Sequence, residues 1–284
     1  MAEPSGLFLV DKPAGPTSFG VLRELRPALG QRLGHAGTLD PFATGLLLVL
    51  AGRSTRLAVH LTGHDKSYRA EVQFGAVSPT LDPEGEITCT GGTTDLEAVR
   101  RAAAGLVGER LQRVPAASAV KVAGERAYRR MRRGERVEMP ARPVRIDRLE
   151  VLAFDRRLQV AEIDVTCSKG TYVRQIAADL GEATGAGALC RALRRTAVGP
   201  FTVEQAGTPA EVAADPHGRW YRRPAEALQH LPARQLDAAA AAAVRHGRRL
   251  VREHEHGTVR LLFGDELVAL AEPRDAELQP VVVL

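Results

Sequence analysis

The 284-residue sequence predicts an α+β fold, in which a mixed, largely antiparallel sheet is flanked by helices, and three observations support this prediction. Strand-like and helix-like patterns occur in blocks, without the regular alternation that is typical of a parallel α/β fold. The apolar content of 44% and the charged content of 26% are ordinary for a globular chain. The length allows one large domain with a small appendage.

The strands of the predicted sheet are recognised by apolar runs and by the alternation of apolar and polar residues. In chain order they are Leu7–Val10, Leu46–Leu50, Lys66–Phe74, Val144–Ala153 and Leu158–Cys167. The last strand is predicted to carry a bulge near Ala161, where the alternation slips. Residues 77–86 are predicted as a turn-rich loop.

Apolar residues at helical spacing predict the flanking helices. The first starts from a cap at Ser18, the second covers Asp95–Leu106, and the third covers Tyr172–Glu182 and ends at Gly185. Since strands and helices come in separate blocks, the helices are expected on the faces of one sheet.

The C-terminal part of the sequence predicts a second, smaller unit. A linker rich in proline, arginine and histidine covers Thr208–Pro232, and an alanine-rich helix follows at Leu236–Gly247. Short strand-like runs then occur at Arg249–Arg252, Val259–Phe263, Leu267–Ala271 and Val281–Leu284. The prediction is therefore a domain over residues 1–232 and a small β-rich barrel over residues 233–284.

Positive charge is concentrated in one segment. The whole chain has a net charge of +5, whereas residues 121–148 contain ten basic and four acidic residues. The basic residues of this segment are Lys121, Arg126, Arg129, Arg130, Arg132, Arg133, Arg136, Arg142, Arg145 and Arg148. Such an excess is typical of a surface that binds a polyanion, although a solvated helix face is an equal alternative.

Several classes of protein are disfavoured by what the sequence contains. Three widely spaced cysteines without a CxxC pair argue against a disulfide framework or a zinc site, and His254-x-His256 lacks further metal ligands. Phosphate-loop and dinucleotide-binding motifs are missing from the sequence. No apolar run is long enough for a secretory signal or a membrane span. These features predict a cytoplasmic protein that uses neither metal nor cofactor.

The segment Gly34–Gly45 holds a single carboxylate, Asp40, in a glycine-punctuated loop before an apolar strand. Pro41 favours an extended conformation at Asp40. A loop of this kind can present a reactive group, but an Asp-Pro pair in a glycine-rich loop is more often a plain turn. Only four of the 39 basic residues are lysine, and each of the four lies in a segment that resembles a motif. A lysine that persists in so arginine-rich a chain suggests a position where a guanidinium does not suffice.

Seven ordered segments between residues 7 and 205 resemble the motifs of the TruB family of tRNA pseudouridine synthases. These segments are Asp11–Ser18, Gly34–Gly45, Lys66–Tyr68, Ser78–Gly85, Pro115–Tyr128, Lys169–Arg174 and Leu193–Phe201. The chain departs from the family pattern at Ala36, where threonine or another small residue is usual. The C-terminal unit resembles, more weakly, the PUA domain, a small RNA-binding barrel.

The resemblance implies an isomerase that converts the T-loop uridine 55 of tRNA into pseudouridine. It implies extrusion of the target base from the folded RNA, no cofactor, and a monomer that binds the T-arm stem-loop. Asp40 would act where the sugar joins the base, by attacking the sugar, attacking the base or removing a sugar proton. Arg174 would pair with Asp40, and Tyr68 would stack on the uracil and relay the proton from carbon 5.

The resemblance also implies a set of substrate-binding residues. Those near the base would be His35, Tyr172 and Leu193. Those that hold the RNA would be Lys12 and four residues of a basic thumb at about residues 115–139, namely Lys121, Arg126, Arg129 and Arg130. From the residue pattern alone, Tyr68 is a core tyrosine and Arg174 a surface helix arginine.

Three other functions are weighed against this interpretation. A guide-RNA-dependent relative is disfavoured because the long basic thumb is present and extra basic extensions are missing. A non-catalytic RNA chaperone is disfavoured because Asp40, Tyr68 and Arg174 are all intact. An acid-dependent hydrolase is disfavoured because no second carboxylate pairs with Asp40 at a recognisable spacing, and Asp82 is interpreted as a loop-stabilising residue.

Overall fold

The computed structural model describes residues 5–30, 32–118, 120–122, 124–135 and 137–284. The strands of this part of the chain are, in order, β1 (Gly6–Lys12), β2 (Leu33–Ala36), β3 (Thr44–Ala51), β4 (Lys66–Phe74), β5 (Ala76–Val77), β6 (Thr88–Cys89), β7 (Gly108–Arg113), β8 (Lys121–Val122), β9 (Glu125–Arg126), β10 (Ala141–Asp155), β11 (Val160–Cys167), β12 (Ala188–Val198), β13 (Phe201–Thr202), β14 (Tyr221–Arg222), β15 (Ala233–Gln235), β16 (Leu250–Val251), β17 (Val259–Phe263), β18 (Glu266–Arg274) and β19 (Glu277–Val283). The α-helices are α1 (Ser18–Leu29), α2 (Ala58–Thr62), α3 (Leu96–Ala104), α4 (Ala127–Arg132), α5 (Val173–Thr184), α6 (Pro209–Ala214), α7 (Pro224–Ala227) and α8 (Ala238–Arg245).

Ten strands form one mixed sheet, in the order β14-β1-β3-β12-β4-β11-β10-β7, with β2 paired to β3 and β13 paired to β12. The neighbouring strands are antiparallel except β3 and β12, which run parallel where Arg194 and Arg195 lie opposite Thr44 and Gly45. The predicted α+β class and its mixed, largely antiparallel sheet are confirmed. The parallel pair matters for function because it places β12 beside the segment that follows Asp40.

The central strands are buried on both faces, which explains their continuous apolar sequences. Phe8 and Val49 belong to a core shared with α1, α3 and α5, whereas Leu7 and Leu48 face the opposite side of the sheet. Successive side chains of a strand point to opposite faces, so a run without alternation indicates burial on both. On the second face Leu270 of β18 joins the same apolar cluster, which packs the C-terminal unit against the large sheet.

The C-terminal unit is a five-stranded sheet in the order β15-β17-β18-β19-β16, with α8 packed on it. This arrangement confirms the predicted small β-rich unit. Its two edge strands are connected by a side chain, because Arg234 of β15 donates to the Val251 carbonyl of β16 at 2.8 Å. The same guanidinium forms ion pairs with Glu253 and Glu255 beyond β16.

The first helix is capped by Thr17 rather than by Ser18. The Thr17 hydroxyl accepts a hydrogen bond from the Gly20 amide at 2.9 Å, in the usual geometry of an N-terminal cap. Ser18 is buried, and its hydroxyl donates to the Leu39 carbonyl and accepts from the Leu39 amide. The hydroxyl that the sequence assigns to the helix therefore holds the residue next to Asp40.

The predicted bulge near Ala161 is wrong. Strand β11 alternates regularly between buried and partly exposed residues, and the extra residues lie in the partner strand β10 at Asp147 and Leu152. The alternation slips in the sequence because Leu158 lies in the preceding turn, in which Gln159 has a φ of 53°. This apolar residue of a turn imitates the start of the strand.

Two further differences come from charged or mixed segments. Strand β12 is 11 residues long and lies in the middle of the sheet, but its arginines hide it from a pattern based on apolar residues. The predicted linker at Thr208–Pro232 is wrong as a linker, since it contains α6, β14 and α7, and β14 pairs with β1. In the described part of the chain, no helix is long and apolar enough to cross a membrane.

Candidate active site

Asp40 lies in the loop between β2 and β3, and buried polar groups hold the residues on both sides of it. Lys12, which is fully buried, donates from Nζ to the Pro41 carbonyl at 3.1 Å. Ser18 holds Leu39 through two hydrogen bonds of 2.8 and 3.0 Å. The Asp40 side chain itself is 34% exposed. The backbone around the carboxylate is thus fixed while the carboxylate stays accessible.

Gly45, at the end of the Asp40 loop, is required by a close backbone approach. Its φ is +102°, and a Cβ at this position would lie 2.2 Å from the carbonyl oxygen of Arg195. A side chain at this position would push β3 away from β12, where the two strands run parallel. The glycine therefore lets the Asp40 loop lie directly against β12.

Arg174, near the start of α5, pairs with Asp40. Its Nη2 donates to Asp40 Oδ1 at 3.3 Å, and its Nε lies 2.9 Å from Oδ2 without the alignment of a hydrogen bond. The side chain is only 2% exposed, so Arg174 is not the surface arginine that the helix pattern favours. The guanidinium also donates to Asp82 Oδ2 at 2.8 Å and to the carbonyls of Thr80 and Ala117 at 2.7 and 3.0 Å. One side chain connects the Asp40 loop, the 78–86 loop and the start of the thumb.

Asp82 is a member of the site that the sequence interpretation missed. Its Oδ1 accepts from the Thr80 hydroxyl at 2.6 Å and from the Glu84 amide at 3.0 Å, which is the predicted loop-stabilising role. Its Oδ2 is the second carboxylate partner of Arg174. Because Asp82 is buried, it cannot contact a substrate as a second reactive acid. The motif Thr80-x-Asp82 is the sequence feature that could have identified Asp82. Its cationic partner, Arg174, lies elsewhere in the chain and is not part of the motif.

The electrostatics of Asp40 are set by two opposing influences. Burial raises the pKa of the Asp40 carboxyl above its ordinary value, Arg174 opposes this increase, and Asp82 adds to it. One cation shared between two carboxylates neutralises each only in part. The site therefore keeps Asp40 near a cation in a poorly solvated place, where a carboxylate is more reactive than in water.

Tyr68 lies on β4, directly opposite Arg195 of β12 in the strand register. Burial raises the pKa of the Tyr68 hydroxyl to about 12, and the nearby Arg195 guanidinium opposes the increase. The ring belongs to the main core, as the alternation of β4 predicts, and only a small part of it is accessible. Asp40 is close enough to influence the same hydroxyl.

His35 and Leu193 lie on strands that border the Asp40 loop. His35 is on β2, opposite Val49 of β3, and its Nδ1 is buried without a hydrogen-bond partner. Burial and Arg195 lower the pKa of His35, so the imidazole is neutral at physiological pH. Leu193 is buried on β12 in the main core.

Tyr172 precedes α5 and is fixed through its backbone. Its amide donates to Gln112 Oε1 at 2.8 Å, and its carbonyl accepts from Gln112 Nε2 at 3.1 Å. The guanidinium of Arg142 stacks on the ring, with Cζ 4.6 Å from the ring centroid. The buried amide of Gln112 thus holds the residue that precedes Arg174 by two positions.

The thumb is an irregular segment that contains the hairpin β8–β9 and helix α4. Lys121 and Arg126 lie opposite each other in the hairpin and are exposed. Arg129 is also exposed, and its Nε lies 3.4 Å from the Tyr128 hydroxyl, whereas Arg130 forms an ion pair with Glu135 at 2.7 Å. Hydrogen bonds from Arg129 and Arg126 lower the pKa of Tyr128.

Several of the ten basic residues of residues 121–148 form ion pairs. Arg133 pairs with Glu125 and Glu135, and Arg145 and Arg148 on β10 pair with neighbouring carboxylates. Arg136 lies outside the described residues. Within the described thumb, Lys121, Arg126 and Arg129 have no carboxylate at ion-pair distance. These three residues form the positive surface of the thumb.

Arg195 is a second residue that the sequence interpretation missed. It is 1% exposed and donates to three carbonyls: Nε to Leu46 at 2.7 Å, Nη1 to Thr38 at 3.3 Å and Nη2 to Gly37 at 3.0 Å. Its neighbour Arg194 is more exposed and forms a bidentate pair with Asp11. Two adjacent arginines therefore differ completely in environment, because successive residues of β12 point to opposite faces.

The described residues contain no group of three or more His, Cys, Asp and Glu side chains that could hold a metal ion. The three cysteines are free. Burial raises the pKa of Cys167 to about 11, so its thiol stays protonated.

Comparison with known proteins identifies two family regions. Residues 26–173 match the TruB family pseudouridylate synthase N-terminal domain, and residues 174–231 match the tRNA pseudouridylate synthase B C-terminal domain. The chain is 44% identical over 291 residues to a protein of Thermobifida fusca (strain YX) named tRNA pseudouridine synthase B. This match covers 98% of each chain. It is 43% identical over 277 residues to the protein of that name from Arthrobacter sp. (strain FB24), which covers 95% of this chain and 90% of the relative.

A solved structure, described as a crystal structure of a Cbf5-Nop10-Gar1 complex, contains a chain of the same fold. The TM-score is 0.73 at 27% sequence identity, and the match covers 94% of this chain and 78% of that chain. The family match, the full-length relatives and the shared fold agree with the ordered motifs around Asp40. The chain belongs to the TruB family of pseudouridylate synthases.

Proposed function

We propose that this protein isomerises uridine 55 in the T loop of tRNA to pseudouridine, as a monomer in the cytoplasm. The observation that carries the proposal is the accessible Asp40 carboxylate, which is ion-paired to the buried Arg174 within a chain of the TruB family. Full-length relatives named tRNA pseudouridine synthase B support tRNA as the substrate.

The reaction needs one well-placed carboxylate and no external reactant. The bond between N1 of uracil and C1′ of ribose breaks, the base turns, C5 bonds to C1′, C5 loses its proton and N1 gains one. In our proposal, Asp40 acts at the junction of sugar and base, by attack on the sugar, by attack on the base or by removal of a sugar proton. Arg174 keeps Asp40 oriented and favours its charged form.

Tyr68 is proposed to contact the extruded uracil and to relay the C5 proton. Stacking of its ring on the base would be worth about 1–3 kcal/mol. His35, Leu193 and Tyr172 are proposed to line the space that the nucleotide enters. His35 is only partly buried and its pKa is lowered, so it would meet the nucleotide as a neutral imidazole.

The RNA itself is proposed to be held by charge and shape. Lys121, Arg126 and Arg129 would contact backbone phosphates of the T-arm, and Arg130 would support them through its pair with Glu135. Lys12 would act indirectly, because it is buried and holds Pro41. We assign catalysis to residues 1–232 and additional RNA binding to the PUA-like residues 233–284.

One test separates this function from the guide-RNA-dependent alternative. Purified protein is incubated with an unmodified tRNA transcript carrying tritium at C5 of uridine, without guide RNA or other proteins. We expect stoichiometric tritium release and a single new pseudouridine at position 55, and no release from a transcript with cytidine at that position. Release at other positions, or release only after a guide RNA is added, would contradict the proposal. A chaperone without catalysis would bind the transcript and release no tritium.

A further inference from the structure

Arg195 is a buried cation without a carboxylate partner among the described residues. It differs in this respect from Arg174, which shares its charge with Asp40 and Asp82. Burial of an unpaired charge is costly, and an apolar residue of similar size could fill the space between β3 and β4. We therefore expect the guanidinium of Arg195 to serve a function that offsets this cost.

The hydrogen bonds of Arg195 reach both ends of the segment that carries Asp40. Gly37 and Thr38 precede Asp40, and their carbonyls accept from Nη2 and Nη1 at 3.0 and 3.3 Å. Leu46 follows Asp40, and its carbonyl accepts from Nε at 2.7 Å. The planar fork of one side chain thus joins the two ends of a loop, with the carboxylate at its middle.

The backbone of Arg195 adds a second constraint on the same loop. Its carbonyl oxygen lies 2.2 Å from the place that a Cβ of Gly45 would take, and the two residues are partners in the parallel register of β3 and β12. The side chain and the main chain of one residue therefore contact the Asp40 loop at four positions.

The charge of Arg195 also acts on the residues that surround the proposed substrate. It lowers the pKa of His35 and, after burial, is the main influence that lowers the pKa of Lys66 to about 8. It lies beside the Tyr68 hydroxyl and stabilises negative charge there. A fixed positive charge at this place stabilises the oxyanion of Tyr68 and would favour loss of the Tyr68 proton during a relay.

We propose that Arg195 is a positioning residue, which fixes the Asp40 loop against β12 so that the carboxylate meets the ribose of the extruded uridine in the productive geometry. This inference rests on the proposed function. It assigns to Arg195 a contribution to the chemical step and none to tRNA affinity, because the residue is buried and lies apart from the thumb. A loop displaced by about 1 Å is expected to slow the reaction about 100-fold.

The test compares Arg195→Lys with Arg260→Lys. Arg260 is the matched control, since it also donates to backbone carbonyls, those of Leu231 and Ala225 at 3.0 and 2.8 Å, and these carbonyls lie in α7 and the segment after it, outside the Asp40 loop. For each variant, kcat, KM and the melting temperature are measured with full-length tRNA. We expect kcat of Arg195→Lys to fall 10- to 100-fold with KM within about twofold, whereas Arg260→Lys keeps kcat.

Amide hydrogen exchange of residues 37–46 gives a readout that does not depend on activity. We expect faster exchange in this segment for Arg195→Lys and unchanged exchange for Arg260→Lys. If the wild type is inactive while Arg195→Lys still loses protection there, the proposed function fails and the positioning role stands. Normal kcat and normal protection in a folded Arg195→Lys variant would overturn the inference.

A second variant covers the case in which Arg195→Lys does not fold. Gly37→Ala places its Cβ at an ordinary contact distance of 3.6 Å from Arg195 Nη1, but the φ of +94° strains the backbone that carries the Gly37 carbonyl and so disturbs the same contact from the loop side. As for Arg195→Lys, we expect a lower kcat with an unchanged KM. An increase in KM alone would contradict the positioning role.

Discussion

The Asp40 loop and the thumb are held in opposite ways. Three buried cations hold the Asp40 loop: Lys12 and Arg195 donate to its backbone carbonyls, and Arg174 pairs with the Asp40 carboxylate. The described thumb relies on ion pairs between exposed side chains, such as Arg133 with Glu125. Exposed pairs of this kind contribute about 0–1 kcal/mol, whereas a buried carbonyl left without its donor costs about 1–3 kcal/mol.

The difference matches what the two regions are proposed to do. A carboxylate that acts on a sugar needs a fixed position, and buried hydrogen bonds provide it. A surface that follows an RNA backbone needs exposed charge and can tolerate variation in geometry. The two regions meet at Ala117, whose carbonyl accepts from Arg174 at 3.0 Å. Changes in the loop should therefore affect turnover, and changes in the thumb should affect affinity.

The largest effect is expected from Gly45→Ala. Its Cβ would meet the Arg195 carbonyl at 2.2 Å, so the parallel contact of β3 and β12 must open. We expect a loss of about 3 kcal/mol or more in the free energy of unfolding, measured with urea, and no detectable turnover. Gly15→Ala is the control, because it has a similar φ of +103° but no atom within 4 Å of its Cβ. Equal losses in both variants would mean that backbone strain, and not the contact with β12, explains the requirement.

The next largest effect is expected from Arg174→Lys. A lysine keeps the charge but cannot bind Asp40, Asp82 and two carbonyls with one planar group. We expect kcat to fall about 100- to 1000-fold with little change in tRNA affinity. Arg110→Lys is a suitable control, since Arg110 lies 3.9 Å from Asp179 at a partly exposed site. Near-normal turnover of Arg174→Lys would remove this residue from the mechanism.

The pH dependence of the chemical step should report Asp40. Burial raises the pKa of Asp40 above 3.8 and Arg174 opposes the increase, so activity is lost as the pH falls through this raised value. In Arg174→Gln the opposing charge is gone, and the acidic limb of the single-turnover rate should move to higher pH. The measurement is the single-turnover rate between about pH 4 and 8. An acidic limb that stays in place or moves down would show that another group controls it.

The smallest effect is expected from the thumb. Lys121→Gln and Arg126→Gln each remove an exposed charge without a carboxylate partner. We expect a several-fold weaker affinity for tRNA, a salt slope lowered by about 0.7–0.9 per lost phosphate contact, and an unchanged kcat. Arg133→Gln is the matched control, because its charge is already paired with Glu125 and Glu135. A lower kcat with unchanged affinity in the thumb variants would reverse the assignment of the two regions.

The sequence predicts the main strands of the molecule because their patterns of apolar and polar residues are local. The apolar runs around Phe8 and Leu48 specify strands buried on both faces, and the alternation of Lys66–Phe74 specifies a strand of the sheet. The position of Asp40 before such a strand, among glycines, is also local. These features depend on residues that are close in the chain.

The buried charges could not be predicted in the same way, since their partners come from distant segments. Arg174 contacts Asp40, which is 134 residues away in the sequence, and Asp82, which is 92 residues away. Arg195 finds the carbonyls of Gly37 and Leu46 across about 150 residues, and nothing in its neighbours distinguishes it from the exposed Arg194. Arg194 and Arg195 interrupt the apolar pattern of β12, and for this reason the sequence does not predict the strand.

The most direct test of the account is the Asp40→Asn variant, which keeps the shape of the side chain and removes its negative charge. Filter binding and single-turnover tritium release are measured with enzyme in excess over T-arm RNA. We expect affinity within about threefold of the wild type and no detectable pseudouridine, since the asparagine can neither act at the sugar nor hold the charge of Arg174. Pseudouridine formation at the wild-type rate would contradict the central claim.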